Sequence, residues 1–99
     1  MDFSPHAGTE QGGRRPALVL SARAFNVATG LAIVCPITSK VKGGSFEVPL
    51  PRETNLQGVA LCDHVRSTDW IARNIEFHGK APSHLQDAVL AQVAAIIGL

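Results

Sequence analysis

Apolar residues along this 99-residue chain are spaced in two ways. Up to Phe77 they come in short runs or alternate with polar residues, the period-2 signature of strands; after Ser83 they recur at helical spacing. Ala17–Ser21 is a continuous apolar run after Pro16 and predicts a buried strand. Leu31–Thr38 predicts the next, with Pro36 marking an edge or a bulge because proline has no N–H to give to a ladder. Ser45–Leu50 alternates, Phe46 and Val48 on one face and Glu47 on the other. Gly58–Ser67 predicts a long strand and Trp70–Phe77 a further one, while Met1–Phe3 reads as the stump of a strand. Between them lie a glycine-containing loop at Ser4–Arg14, a connector at Arg23–Gly30 with room for one helical turn, a basic turn at Ser39–Gly44 and a loop at Pro49–Gln57. Leu85, Val89, Val93, Ile96 and Ile97 form the stripe of an amphipathic helix of about 14 residues. Ser83 and Gln86 have the spacing of a capping box, and Gly98 follows the helix. Short strands closed by a single helix imply a mainly β fold, a small, strongly bent antiparallel barrel forming one domain over 1–99.

Composition narrows the class without naming a chemistry. The apolar content is 45% and the formal net charge +1, so the chain is globular and has no general basic coat for nucleic acid. Cys35 and Cys62 sit inside apolar runs with no C-x-x-C spacing, which predicts buried free thiols and fits a reducing, cytoplasmic setting. The opening MDFSPHAG has neither the basic nor the apolar segment of a signal peptide. The apolar runs fall far short of the roughly 18 residues that span a bilayer, so no membrane role is expected. His6, His64, His78 and His84 show no zinc spacing, no carboxylate cluster suggests a two-metal site, and there is no phosphate-loop signature. No metal or other cofactor is expected.

Three stretches carry candidate chemistry. Arg14 and Arg15 precede Pro16, which fixes the backbone where a strand begins. Their guanidinium forks match phosphate oxygens, although an arginine pair also simply faces solvent. Glu10, in the same loop, is placed either to pair with an arginine or to act as a general base. Next, Pro36-Ile37-Thr38-Ser39-Lys40 sets two hydroxyls and a lysine at a strand end, an anion site or an ordinary polar turn. Third, Asp63 to Arg73 holds Arg66 and Arg73, which suit a nucleic-acid backbone, with Trp70 as a stacking surface or as core.

Taken in order, these blocks resemble the MazF/PemK (Kid-like) toxins of bacterial toxin–antitoxin modules. Gly8-Thr9-Glu10-Gln11-Gly12-Gly13-Arg14-Arg15-Pro16 is similar to the family's G-x-E-Q-x-G-x-R-P loop. Val19-Leu20-Ser21, Pro36-Ile37-Thr38-Ser39, Phe46-Glu47-Val48 and Gly58 to Ser67 follow in the family's order. The resemblance implies an SH3-like antiparallel barrel with a C-terminal α-helix, usually as a homodimer. Because Met1 directly precedes Asp2, the family's opening strand is expected to be truncated. The implied activity is metal-independent cleavage of single-stranded RNA at short motifs, with Arg15 and Thr38 as the central catalytic pair and Glu10 in the same loop. The implied partner is an antitoxin with an acidic, partly disordered C-terminal tail.

Chemistry then assigns roles. RNA carries its own nucleophile in the 2′-hydroxyl, so the protein must orient the chain, move protons and stabilise the phosphorane. Arg15 suits stabilisation and Thr38 donation to a non-bridging oxygen; Glu10 is the better base, with His64 behind it. Gln11, Arg14 and Ser39 are expected on the walls of the RNA groove, and Lys40, Lys42, Arg66 and Arg73 against the RNA backbone. Competing readings are an inactive nucleic-acid-binding barrel, a same-fold topoisomerase poison and a purely structural domain.

Overall fold

Strands β2 (Pro16–Val19) and β3 (Leu31–Thr38) form the centre of the computed structural model, which describes residues 6–9 and 15–99. They run antiparallel with Leu18 opposite Cys35, and alternation divides their side chains between two buried clusters. Leu18, Cys35 and Ile37 face one way, towards Ala60, Cys62, Leu85 and Val89. Ala17, Val19, Ala32 and Val34 face the other way, where Trp70 and Phe77 cover them. Both faces of this pair are buried, which is why their sequences read as continuous apolar runs.

The remaining strands are β1 (His6–Thr9), β4 (Glu47–Pro49), β5 (Val59–Leu61), β6 (Arg66–Asp69) and β7 (Glu76–Lys80). All pairings are antiparallel, in the order β4-β5-β3-β2-β1-β7, with β6 also on β3. Among the described residues no pairing joins β4 to β7, so the barrel is not closed into a ring. The fold is mainly β and antiparallel with a C-terminal helix, as expected. The expected stump at Met1–Phe3 lies outside the described residues.

Strand β3 changes partner along its length. Leu31–Val34 pairs with β6, whereas Ile37 and Thr38 pair with Ala60 and Val59 of β5. Ile33 O accepts from Leu20 N–H at 2.8 Å, so alternation turns the nitrogen of Pro36 to the opposite edge, into the gap between β6 and β5. The proline therefore costs the sheet no hydrogen bond there.

Several elements differ from the sequence expectation. Within the expected Ser4–Arg14 loop, His6–Thr9 forms β1. The expected strand at Gly58–Ser67 is interrupted by a 3₁₀ turn at Cys62–His64. Buried Cys62 keeps the apolar pattern running through that break. Trp70–Phe77 is mostly a turn, with Ile75 N–H donating to Trp70 O at 3.1 Å, and the strand begins only at Glu76. The connector is a full seven-residue helix, α1 (Arg23–Thr29), whose single buried residue is Asn26. Ser21 Oγ donates to Asn26 Oδ1 and accepts from Ile33 N–H at 2.9 Å, while Trp70 Nε1 donates to Asn26 O at 2.9 Å. Because the inward residue is polar, α1 has no apolar stripe to read. Trp70 thus serves the core, edge-on to Phe77 at 5.7 Å, rather than stacking a base.

Helix α2 (Ser83–Ile97) buries Leu85 and Val89, with Val93 partly covered, against the first cluster. Each fully buried Leu or Val contributes about 1.5–3 kcal/mol. The capping box does not form: Ser83 is the first helical residue, and Pro82 O accepts the first turn's bonds from Leu85 and Gln86 N–H. His84 Nε2 lies 3.2 Å from Glu53 Oε2 in the 3₁₀ turn Arg52–Thr54, which ties the helix start to the β4–β5 connection.

Cys35 and Cys62 are both free and fully buried. Burial first, then the neighbouring Cys62 and Asp63, pushes the Cys35 thiol from 9.0 up to about 12; burial and Asp63 also raise Cys62. A raised thiol pKa leaves stability intact below the unfolded value and removes it above, as the unfolded chain ionises and the folded chain does not. Urea midpoints should therefore fall as pH rises from about 9 towards about 12, with a shallower fall in Cys35→Ala. Neither cysteine should react with a thiol reagent at pH 8 except at the rate of unfolding.

Gly58 precedes β5 at φ +114°, and a Cβ there would stand 1.9 Å from Thr38 O. Gly43 also has positive φ, +77°, but opens onto nothing within 4 Å. Gly43→Ala should cost about 1 kcal/mol from the backbone alone. Gly58→Ala should cost on the order of 3 kcal/mol or more, since the main chain of Thr38 must move as well. Urea denaturation of the two variants checks the difference.

Candidate functional site

Thr38 ends β3 at the mouth of a cleft of about 340 Å³. Lys40, Lys42 and Glu47 come to it from the 39–47 segment, and Leu61, Asp63 and His64 from β5 and the turn after it. The partner change in β3 creates this space: β6 has left, β5 has arrived, and the Cys62–His64 turn stands between them. Gly58 admits the close approach that fixes the main chain of Thr38.

Local bonds set the side chains. Thr38 Oγ1 accepts from Lys40 N–H at 3.1 Å, so its own hydrogen remains available to an incoming acceptor. Glu47 accepts from Lys42 N–H at 3.3 Å and Gly43 N–H at 3.0 Å. His64 Nε2 lies 3.9 Å from Asp63 Oδ1, both side chains being half exposed or more.

Arg15 is exposed immediately before β2. The β2–β3 ladder ends at Ala17–Pro36; continued two residues, it would bring Arg15 opposite Thr38. Arg15 is not among the residues that line the cleft. Lys40, Lys42 and the exposed Ser39 adjoin Thr38 in the same turn. Arg66 lies opposite Val34, four residues back along β3. Arg73 follows the Leu31–Asp69 pair at the other end of β3, roughly 20 Å away along the strand, and is not brought to the cleft. Glu10, Gln11 and Arg14 lie outside the described residues.

Two positioning features were missed in the sequence: Gly58 and Glu47. The second had a signal, a lone carboxylate on the polar face of an alternating strand just after Gly43-Gly44. Among the described residues no group of three or more His, Cys, Asp or Glu side chains could hold a metal ion, and no helix is long and apolar enough to cross a membrane.

Known proteins share both the sequence and this architecture. The endoribonuclease toxin MazF of Escherichia coli K12 is 42% identical over 99 residues, covering 99% of this chain and 87% of that protein. The endoribonuclease PemK of Escherichia coli is 33% identical, covering 98% and 76%. A crystal structure of MazE-MazF from Deinococcus radiodurans superposes with a TM-score of 0.90 at 43% identity, covering 96% of this chain and 93% of that one. The family model for the PemK-like, MazF-like toxin of type II toxin–antitoxin systems matches residues 1–97. With sequence, fold and matched length in agreement, this chain belongs to the PemK/MazF toxin family of type II toxin–antitoxin systems.

Proposed function

We propose that this chain is a cytoplasmic endoribonuclease toxin that cuts single-stranded RNA at short motifs through attack by the RNA's own 2′-hydroxyl, and that an antitoxin neutralises it. The observation that carries the reading is Thr38 at the mouth of its cleft, with Lys40 N–H orienting its hydroxyl as a donor. Arg15, exposed just before the neighbouring strand β2, is the guanidinium proposed to act with it. The relatives named as endoribonucleases and the MazE-MazF complex support it.

In the reaction the 2′-oxygen bonds to phosphorus while its proton passes to a base, the bond from phosphorus to the 5′-oxygen breaks, and that oxygen takes up a proton. The products are a 2′,3′-cyclic phosphate and a 5′-hydroxyl. Arg15 stabilises the doubly charged phosphorane, and Thr38 donates to a non-bridging oxygen. Neither transfers a proton at neutral pH. Glu10 takes that role first, and His64, which lines the cleft with Thr38, is the second candidate. No metal enters the scheme. Lys40 and Lys42 attract the RNA backbone, with Ser39 beside them and Arg66 farther along β3, and Gln11 and Arg14 remain candidates for further RNA contacts. The same two lysines give an acidic antitoxin tail its charge partners, so tail and RNA compete. A homodimer completes the assembly and covers apolar surface such as Ile96 and Ile97 on α2, 41% and 65% exposed.

The test is incubation of the purified protein with a long RNA in EDTA and mapping of the new ends. Cleavage leaving 5′-hydroxyls at a short common motif is expected. Arg15→Ala and Thr38→Val should each lower kcat by about 10²–10³, whereas Thr38→Ser should retain most activity. An oligonucleotide methylated at the 2′-oxygen of the cut site should remain intact, and its cleavage would exclude this chemistry. RNA binding without cleavage would indicate an inactive binder. Inhibition of DNA supercoiling with RNA left whole would indicate a topoisomerase poison. Comparison of pH–rate profiles for Glu10→Gln and His64→Ala identifies the base, since its loss removes the acidic limb of the profile.

A further inference from the structure

Glu47 opens β4, and its main chain is held on two sides. It pairs with Leu61 of β5, and its N–H donates to Gly44 O at 3.3 Å. From this rigid base its carboxylate reaches back across the turn it follows. One oxygen accepts from Gly43 N–H at 3.0 Å and the other from Lys42 N–H at 3.3 Å. Two consecutive amides on one anion form a charge-assisted pairing stronger than two neutral bonds.

Beyond a bond from Cys62 N–H to Phe46 O at 3.0 Å, the turn has little other support. Residues 39–46 are all exposed, Val41 is 61% exposed, and neither buried cluster draws on them. Its second anchor is Thr38 Oγ1, which holds Lys40 N–H at the other end. A cleft built only to attract a polyanion would gain nothing from a carboxylate on its wall. Glu47 is accounted for if its oxygens are committed to the turn, since they then hold the main chain of Lys42 and Gly43 in place instead of repelling phosphate.

We propose that Glu47 is a positioning residue: by clamping the Lys42 and Gly43 amides it fixes the 40–44 turn as one wall of the Thr38 cleft, and so sets the affinity and base preference for RNA. The proposal rests on the ribonuclease reading above. It does not make Glu47 a proton carrier.

The test compares the full-length protein with Glu47→Ala and Glu47→Gln. Glutamine keeps one acceptor and removes the charge; alanine removes both. Positioning predicts that Glu47→Ala raises KM for a cleavable RNA about tenfold with kcat within about twofold. It also predicts a wider range of cut sites and an intermediate Glu47→Gln. Amide hydrogen exchange at Lys42 and Gly43, measured without RNA, should speed up about tenfold in Glu47→Ala, with thermal stability nearly unchanged because the turn lies outside the core. A tighter KM in both variants with the cut sites unchanged would show that Glu47 is only a repulsive charge, and would overturn the proposal. Unchanged exchange at the two amides would overturn it equally. A wild-type protein that cuts no RNA would refute the ribonuclease reading instead; exchange, together with RNA binding by anisotropy, would then decide the clamp. If Glu47→Ala does not fold, Glu47→Gln supports the same comparison at smaller amplitude.

Discussion

Strand β3 can keep only one neighbour at a time on its outer edge, and Pro36 is where the neighbour changes. Its nitrogen, which has no hydrogen to give, faces the gap between the end of β6 and the start of β5. Any other residue would leave a donor there without a strand opposite it, a cost of about 1–3 kcal/mol if buried. The change of partner bends the sheet, brings the Cys62–His64 turn into the gap and ends β3 at Thr38 beside a cleft rather than beside another strand. Gly58 completes the constraint from the β5 side, because any side chain there would displace the Thr38 carbonyl. The site is therefore a consequence of how the sheet turns its corner.

What could be read in advance follows from where the information is stored. Strands β2 and β3 and helix α2 were legible because burial wrote apolar runs and a helical stripe into them. Helix α1 was legible only as a connector with room for one turn, since its inward residue is Asn26, and a polar network replaces the apolar signal. The break between β5 and β6 was hidden by Cys62, buried and apolar in the middle of a turn. Trp70 looked like part of a strand because it is apolar. Its position is fixed by the carbonyl of Asn26, 44 residues away, which no local pattern reports.

The candidate site divides along the same line. Thr38, Ser39, Lys40 and Lys42 lie together in the chain, so their proximity needed no tertiary knowledge. Arg15 is different: it stands just before β2 and outside the cleft lining, so its partnership with Thr38 rests on continuing the β2–β3 register past its last pair. Arg73 could not be placed that way: the turn at Trp70–Asn74 carries it to the end of β3 away from Thr38. Charge and residue type nominated it, but only the topology decides which cations share a groove.

The turn after Thr38 shows how a cleft wall can be made without a core beneath it. Three of its amides are committed to side chains at its two ends, that of Lys40 to Thr38 and those of Lys42 and Gly43 to Glu47. Each such bond removes a backbone donor that phosphate would otherwise accept from. What the turn then offers to an anion includes the ammonium groups of Lys40 and Lys42, long and rotatable, which hold phosphate with little regard to its angle. On the ribonuclease reading, a wall of this kind would bind the RNA backbone tolerantly. Preference among bases would then come from its shape, which would make the clamped main chain, rather than the lysines, the discriminating part of this face.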